Sequence, residues 1–246
     1  MVPTSVGPVW LRGKTLLVTG ASGTIGGAIV RAAKAQGAWV AGTYLAHRPA
    51  PEQCPADLLE AVDVTGREAV IQWVARALQR RGQIDGLVTA AGNLADRTLV
   101  RMTEGEWDAV IATHLTGTYH AVQAVLPSMQ YHRIGKILTV ISVAGLHGRV
   151  GQANYSAAKA GVLGFTRSAA QELGPWGIEV NALCPGFTPS RMTAQVPAEG
   201  WERSRAASAL GILAEAEVAA DLAVWILSDR CRGVTGQVFH VDSRVP

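Results

Sequence analysis

Apolar and polar positions along the chain follow two alternating rhythms. Short apolar runs fall at Thr15–Thr19, Trp39–Tyr44, Gly86–Ala90, Lys136–Ile141, Glu179–Cys184 and Val234–Val241. Between them, stretches with helical spacing occupy Ile25–Gln36, Glu68–Arg81, Thr103–Met129, Tyr155–Leu173 and Glu215–Leu227. Strand followed by helix from end to end implies βαβ units, whose strands pair in parallel. The strand runs are unbroken and not alternating, as in a sheet covered on both faces. The pattern predicts an α/β fold with a doubly wound parallel sheet in one domain, 1–246.

Two segments break the rhythm. His47–Asp57 carries Pro49, Pro51 and Pro55, which a helix interior does not tolerate, so this connection is expected to be a loop. Pro185–Leu210 mixes Pro, Gly, Trp201 and several Arg and is longer than an ordinary connection. Such stretches serve as binding loops or covers, and a substrate lid is expected near 187–212, its core at Arg191–Leu210.

Composition narrows the function. A chain of 246 residues, 48% hydrophobic, buries one sizeable core. Its net charge of +3 comes from scattered Lys and Arg without a basic block, which excludes nucleic acid as an expected partner. Cys54, Cys184 and Cys231 are odd in number and form no CxxC pair; free thiols point to a reducing cytoplasm. The histidines show no short metal-ligand spacing, so no metal is expected. Met1–Lys14 lacks the continuous apolar segment of a secretory signal. The longest uncharged stretch, Ala109–His132, carries three His, two Gln and Pro127, which suits a buried interface helix and not a membrane span.

The first strand runs directly into Thr19-Gly20-Ala21-Ser22-Gly23-Thr24-Ile25-Gly26, and a helix follows. Glycines there let backbone N–H groups approach a pyrophosphate, and the helix N-terminus adds partial positive charge. A bare tight turn would also use glycine; its place on the first βα unit favours nucleotide binding. The second strand ends on Tyr44, where an acidic residue would bond an NAD ribose. With no carboxylate to repel a 2′-phosphate and Arg48 nearby to pair with one, NADPH/NADP is the expected cofactor over NAD. Arg48 also reads as a plain solvated loop charge.

Tyr155 and Lys159 stand four apart at the start of a helix, on one face. An ammonium beside a phenol favours the phenolate and lowers its pKa, making it a usable acid-base group. Ser142 ends a strand, where a hydroxyl can hydrogen-bond a substrate oxygen. Each alone is ordinary: a capping serine, an exposed helical lysine.

Together, in order, the glycine turn, Asp63-Val64, Ala90-Ala91-Gly92, Ser142, Tyr155 with Lys159, and Pro185-Gly186 resemble the short-chain dehydrogenase/reductase family from about Leu11 to Asp242. The family places its serine thirteen positions before the tyrosine, and 155 minus 142 is 13. The resemblance implies a Rossmann-type fold and a nicotinamide cofactor. It implies that Tyr155 is the general acid in reduction, that Ser142 orients the carbonyl, and that Lys159 lowers the tyrosine pKa and holds the nicotinamide ribose. It also implies cofactor contacts at Gly20, Ser22, Gly23, Thr24, Ile25 and Gly26, at Tyr44 and Arg48, and at Asp63 and Val64 flanking the adenine. Ala90, Ala91 and Gly92, then Pro185, Gly186 and Thr188 by the nicotinamide, complete the set.

Within the family, Gly151-Gln152-Ala153-Asn154-Tyr155 and the ending Val234-Thr235-Gly236-Gln237 look most like the 3-oxoacyl-acyl-carrier-protein reductases. Arg133 matches a basic position those reductases use against the acidic carrier protein; Trp176 occupies a second. Three departures stand out. His114 replaces the family's asparagine in the proton relay, and either offers its ring as a shuttle or fills the space and slows the relay. Thr89-Ala90-Ala91-Gly92 replaces Asn-Asn-Ala-Gly. Thr24 stands where the single-domain pattern has Gly, while Gly23 gives the spacing of larger members.

The leading expectation is an NADPH-dependent reductase of a 3-oxoacyl thioester on carrier protein or CoA. A second keeps the chemistry and changes the substrate to another alcohol, a sugar, a steroid or a polyketide intermediate. A third, motivated by the three departures, is a cofactor-binding partner subunit with low turnover. By resemblance, the chain assembles as a homotetramer or homodimer through the helices at Thr103–Met129 and Tyr155–Leu173.

Overall fold

The structure, a computed structural model, describes residues 9–190, 192–194 and 196–244. Its strands are β1 (Thr15–Thr19), β2 (Trp39–Tyr44), β3 (Leu58–Ala61), β4 (Gly86–Thr89), β5 (Gly135–Val140), β6 (Ile178–Pro185) and β7 (Val238–Val241). They form one parallel sheet of seven strands in the order β3-β2-β1-β4-β5-β6-β7. The helices are α1 (Thr24–Ala35), α2 (Arg67–Arg81), α3 (Glu104–Ile111), α4 (Gly117–His132), α5 (Ala144–His147), α6 (Ala153–Leu173), α7 (Ala198–Ala206) and α8 (Ala216–Leu227).

Successive residues of β1 feed opposite faces, which is why its apolar run is unbroken. Leu16 and Val18 pack with Ile29 and Val30 of α1 and Val224 and Leu227 of α8. Leu17 packs with Trp73 and Val74 of α2 and Val122 and Val125 of α4. Each such side chain contributes about 1.5–3 kcal/mol when fully buried. The two covered faces therefore fix the register, since a one-residue slip exchanges every contact. β1 has β2 on one side and β4 on the other. The connections leaving β1 and β4 diverge there and open a crevice at the carboxyl ends of the strands.

Four expectations need correction. The stretch expected as one helix over Thr103–Met129 is two helices joined by a π-turn at Ala112–Thr116. Thr103 is the N-cap of the first, in a capping box with Glu106, and the second runs to His132. β3 was not expected: only two of its four residues are strong apolar strand formers, and the Pro-rich loop adjoins it. The last strand begins at Val238, four residues late, because Thr235 and Gln237 are spent on hydrogen bonds to β6. The irregular stretch contains helix α7, whose polar composition hid it; Arg191, where the lid core was expected to begin, lies outside the described residues. His47–Asp57 is helix-free. No helix of the described residues is long and apolar enough to cross a membrane.

Candidate active site

A cleft of about 950 Å³ opens at the carboxyl edge of the sheet. At its β1–β2 end the walls are backbone. Gly20 takes φ +67°, a left-handed conformation, and a Cβ there would stand 2.6 Å from Ala91 Cα. Gly20 N donates to Thr43 Oγ1 at 3.1 Å and Ala21 N to Thr43 O at 2.7 Å, so the end of β2 holds the turn in place. Helix α1 starts at Thr24 with Gly23 as N-cap, no side-chain cap and no acidic residue in its first turn. Its leading N–H groups and positive pole suit a pyrophosphate.

Farther along, Tyr44, Asp63, Val64, Ala90, Ala91 and Gly92 line the same cleft. The backbone N–H of Ala91 donates to Thr19 Oγ1 at 3.3 Å, which ties β4 to β1. Asp63 accepts from Thr65 N and Oγ1 at 2.9 and 2.8 Å. Thr89, at the family's asparagine position, is buried and its hydroxyl has no partner among the described residues. Arg48 is the exception among the expected cofactor residues: it is exposed and does not line the cleft. The proline-bearing segment begins beside it, three residues past Tyr44, which does line the cleft.

The other end is built of side chains. Ser142 lies two residues beyond β5, and Tyr155 and Lys159 occupy the first two turns of α6. Asn154, fully buried, fixes that helix start: its Nδ2 donates to Ala95 O and Glu106 O, both at 3.0 Å, and its Oδ1 accepts from Tyr155 N at 2.8 Å. Burial pushes the Tyr155 phenol up, and the adjacent Ser142 hydroxyl pulls it the other way. Burial thus favours the protonated phenol, the form that donates a proton. Lys159 is buried, its pKa pushed down to about 8 by that burial, and its Nζ donates to Val140 O at 2.6 Å. The ammonium lies 5.7 Å from the Tyr155 ring centroid.

His114 sits in the π-turn, 2% exposed, with its ring edge-on to Tyr155 at 5.0 Å between centroids. Its Nε2 lies 2.9 Å from Asn93 O and 3.2 Å from Asn93 N. Nε2 thus faces both the carbonyl and the N–H of Asn93, donating to the first in one tautomer and accepting from the second in the other. Nδ1 is buried with no partner among the described residues. Burial, then the Lys159 charge, push the imidazole pKa down to about 3. The ring is neutral at physiological pH, and it fills the space beside Gly92, where a Cβ would collide with it.

Pro185, Gly186 and Thr188 line the cleft across from Tyr155, followed by Phe187, Met192 and, on α7, Arg203 and Ser204. Of the residues expected at the site, all but Arg48 line this one cleft. Sequence reasoning missed Asn154 as an anchor, Asp96, which accepts from Gln152 Nε2 at 2.7 Å, and the Arg149–Phe187 contact. Asn154 had one available signal, a buried-type polar residue next to the candidate acid; the other two join distant segments and had none. Arg133, expected to dock a carrier protein, donates from Nη2 to Pro175 O at 2.7 Å and stacks 5.5 Å from the Trp176 ring. Its φ of 51° also closes the turn after α4.

A backbone cradle of the shape a dinucleotide takes, opening onto the Tyr155 phenol, the Ser142 hydroxyl and the Lys159 ammonium, fits an oxidoreductase acting on an alcohol or carbonyl with a nicotinamide cofactor. Residues 20–243 match the family model described as enoyl-(acyl carrier protein) reductase, and the chain belongs to the short-chain dehydrogenase/reductase family. It is similar to the 3-oxoacyl-[acyl-carrier-protein] reductase of Thermotoga maritima, 37% identical, covering 94% of this chain and 97% of that protein. It is also similar to the acetoacetyl-CoA reductase of Shinella zoogloeoides, 39% identical, covering 93% and 97%. The crystal structure of gox2181 aligns with TM-score 0.89 and 29% identity over 96% of each chain.

Proposed function

We propose that this chain reduces the 3-oxo group of an acyl thioester, on carrier protein or CoA, with NADPH. The observation that carries the reading is the Tyr155 phenol beside the Ser142 hydroxyl at the end of β5, one helical turn from Lys159, in one cleft with the glycine turn. The names of the two curated relatives support the substrate class.

Bound cofactor supplies the hydride. Ser142 donates a hydrogen bond to the carbonyl oxygen and keeps the carbon facing the cofactor. Tyr155 gives its proton to that oxygen as negative charge develops on it. Lys159 holds the nicotinamide ribose and stabilises the phenolate left behind, so the ammonium acts on the product side of the step and not on the resting phenol. His114 serves as a neutral wedge, because an imidazolium is unfavourable at neutral pH in this pocket. The intact Ser142, Tyr155 and Lys159 set argues against a low-turnover partner subunit.

The preference for NADPH rests on Tyr44 standing where a carboxylate would select NAD. We place the enzyme in the cytoplasm, in keeping with its three buried free thiols. It assembles as a homotetramer or homodimer, for which the exposed Trp107, Tyr119 and Tyr131 on α3 and α4 are suitable contacts. The deciding experiment follows NADPH oxidation with acetoacetyl-CoA, with NADH in parallel. Turnover with NADPH and little with NADH is expected. Binding of NADPH without consumption would overturn the substrate assignment.

A further inference from the structure

The catalytic half of the cleft carries two rim arginines that meet no carboxylate among the described residues, one of which, Arg149, also favours the Tyr155 phenolate by its charge. Arg149, on the connection between α5 and α6, and Arg203, on α7, both line the cleft and are exposed at its rim. The arginines that meet carboxylates among the described residues are Arg31, Arg76, Arg97 and Arg244, not these two. Arg203 Nε reaches only Glu199 O, at 3.3 Å.

Arg149 is held by stacking. Its guanidinium lies 5.7 Å from the Phe187 ring centroid, Phe187 packs on Trp201 at 4.5 Å, and Trp201 Nε1 donates to Val196 O at 3.2 Å. A guanidinium stacked on a ring keeps its N–H edge open, preset for the oxygens of a phosphate. The acids nearby are otherwise engaged: Asp96 accepts from Gln152, and Asp242 pairs with Arg244. Asp63, at the far adenosine end, is the one carboxylate among the described lining residues. The reacting carbonyl must sit at the buried phenol, so the part of a substrate that reaches the rim is its far end.

We propose that Arg149 and Arg203 form an anion subsite for the phosphate of a phosphopantetheine arm, making the enzyme selective for phosphate-bearing thioesters over uncharged ones. This rests on the 3-oxoacyl reading above. The arm is common to CoA and to a carrier protein, and the test separates its phosphate from the nucleotide part of CoA.

The experiment measures kcat/KM for acetoacetyl-CoA, acetoacetyl-phosphopantetheine and the uncharged acetoacetyl-N-acetylcysteamine thioester. The proteins are the wild type, Arg149→Met, Arg203→Met, the double variant and Arg149→Lys. The wild type is expected to favour both phosphate-bearing substrates by about tenfold or more, the range of a charge-assisted contact. The double variant should erase that ratio by raising KM for the two phosphate-bearing substrates alone, and Arg149→Lys should restore part of it. A wild-type ratio near one overturns the subsite, as does a loss shared equally by all three substrates or one confined to acetoacetyl-CoA. A rise in KM for NADPH with the ratio intact would hand the arginines to the cofactor and also overturn it. If the wild type reduces none of the three thioesters, the 3-oxoacyl reading itself fails and the subsite falls with it.

Discussion

The two ends of the cleft are built from different material. At the β1–β2 end, Gly20, Gly23 and the start of α1 present backbone N–H groups, and the side chains around them are small. At the β5–α6 end, Ser142, Tyr155, Lys159 and His114 present side chains, each fixed by burial or a named bond. Backbone donors survive a change of side chain so long as φ and clearance are kept. Side-chain donors do not survive replacement at all. Two of the three departures from the family pattern, Thr24 and Thr89, fall at the tolerant end; the third, His114, stands against Tyr155 at the side-chain end, where the Ser142, Tyr155 and Lys159 set is nonetheless intact.

The sharpest way to break the comparison is Tyr155→Phe, which keeps the ring against His114 and removes the donor. Turnover should fall about 10³-fold, while NADPH binding, followed by its fluorescence, stays near wild type; equal loss of both would merge the two ends. Next comes Gly20→Ala, which strains a positive φ and drives a Cβ into Ala91. It should cost about 1–3 kcal/mol of stability and raise KM for NADPH about tenfold or more. Thr24→Gly, by contrast, should change KM by about twofold or less, within the range of substitutions away from the core.

A pH experiment probes the buried end. The His114 pKa falls from its usual 6.5 to about 3 in the folded state. Between those values the unfolded chain binds more protons than the folded one, so stability is lost as pH falls from 6.5 toward 3. At about 1.4 kcal/mol per pKa unit, the loss amounts to a few kcal/mol. Urea unfolding at pH 7 and pH 4.5 should show this acid sensitivity reduced in His114→Asn; identical slopes would mean that the ring is not buried neutral. Arg48→Ala is also expected to act weakly, about threefold or less on KM for NADPH, the scale of an exposed ion pair. A larger effect would place Arg48 at the 2′-phosphate after all.

Much of this architecture was visible in sequence because β1, β4, β5 and β6 are covered on both faces and so read as pure apolar runs. β3 was not, since a four-residue edge strand buries little and leaves no periodic mark. At the site, Tyr155, Lys159 and the glycine turn are local patterns that spacing exposes. Arg149 over Phe187 is not local, because folding alone brings residues 149 and 187 together. Arg48 shows the converse: it follows β2 closely in sequence, but its exposed side chain is not among those lining the cleft.

The π-turn at Ala112–Thr116 acts as a phase change. Each residue of an α-helix advances about 100° around its axis, so one extra residue in a turn rotates everything after it by that amount. Helix α3 can thereby face α6, while α4 faces α2 and the sheet. A continuous helix would have to choose one of these directions. Removing a single residue from this turn would leave either α4 out of step with the sheet or His114 swung away from Tyr155. The length of the segment, as much as its composition, is under constraint.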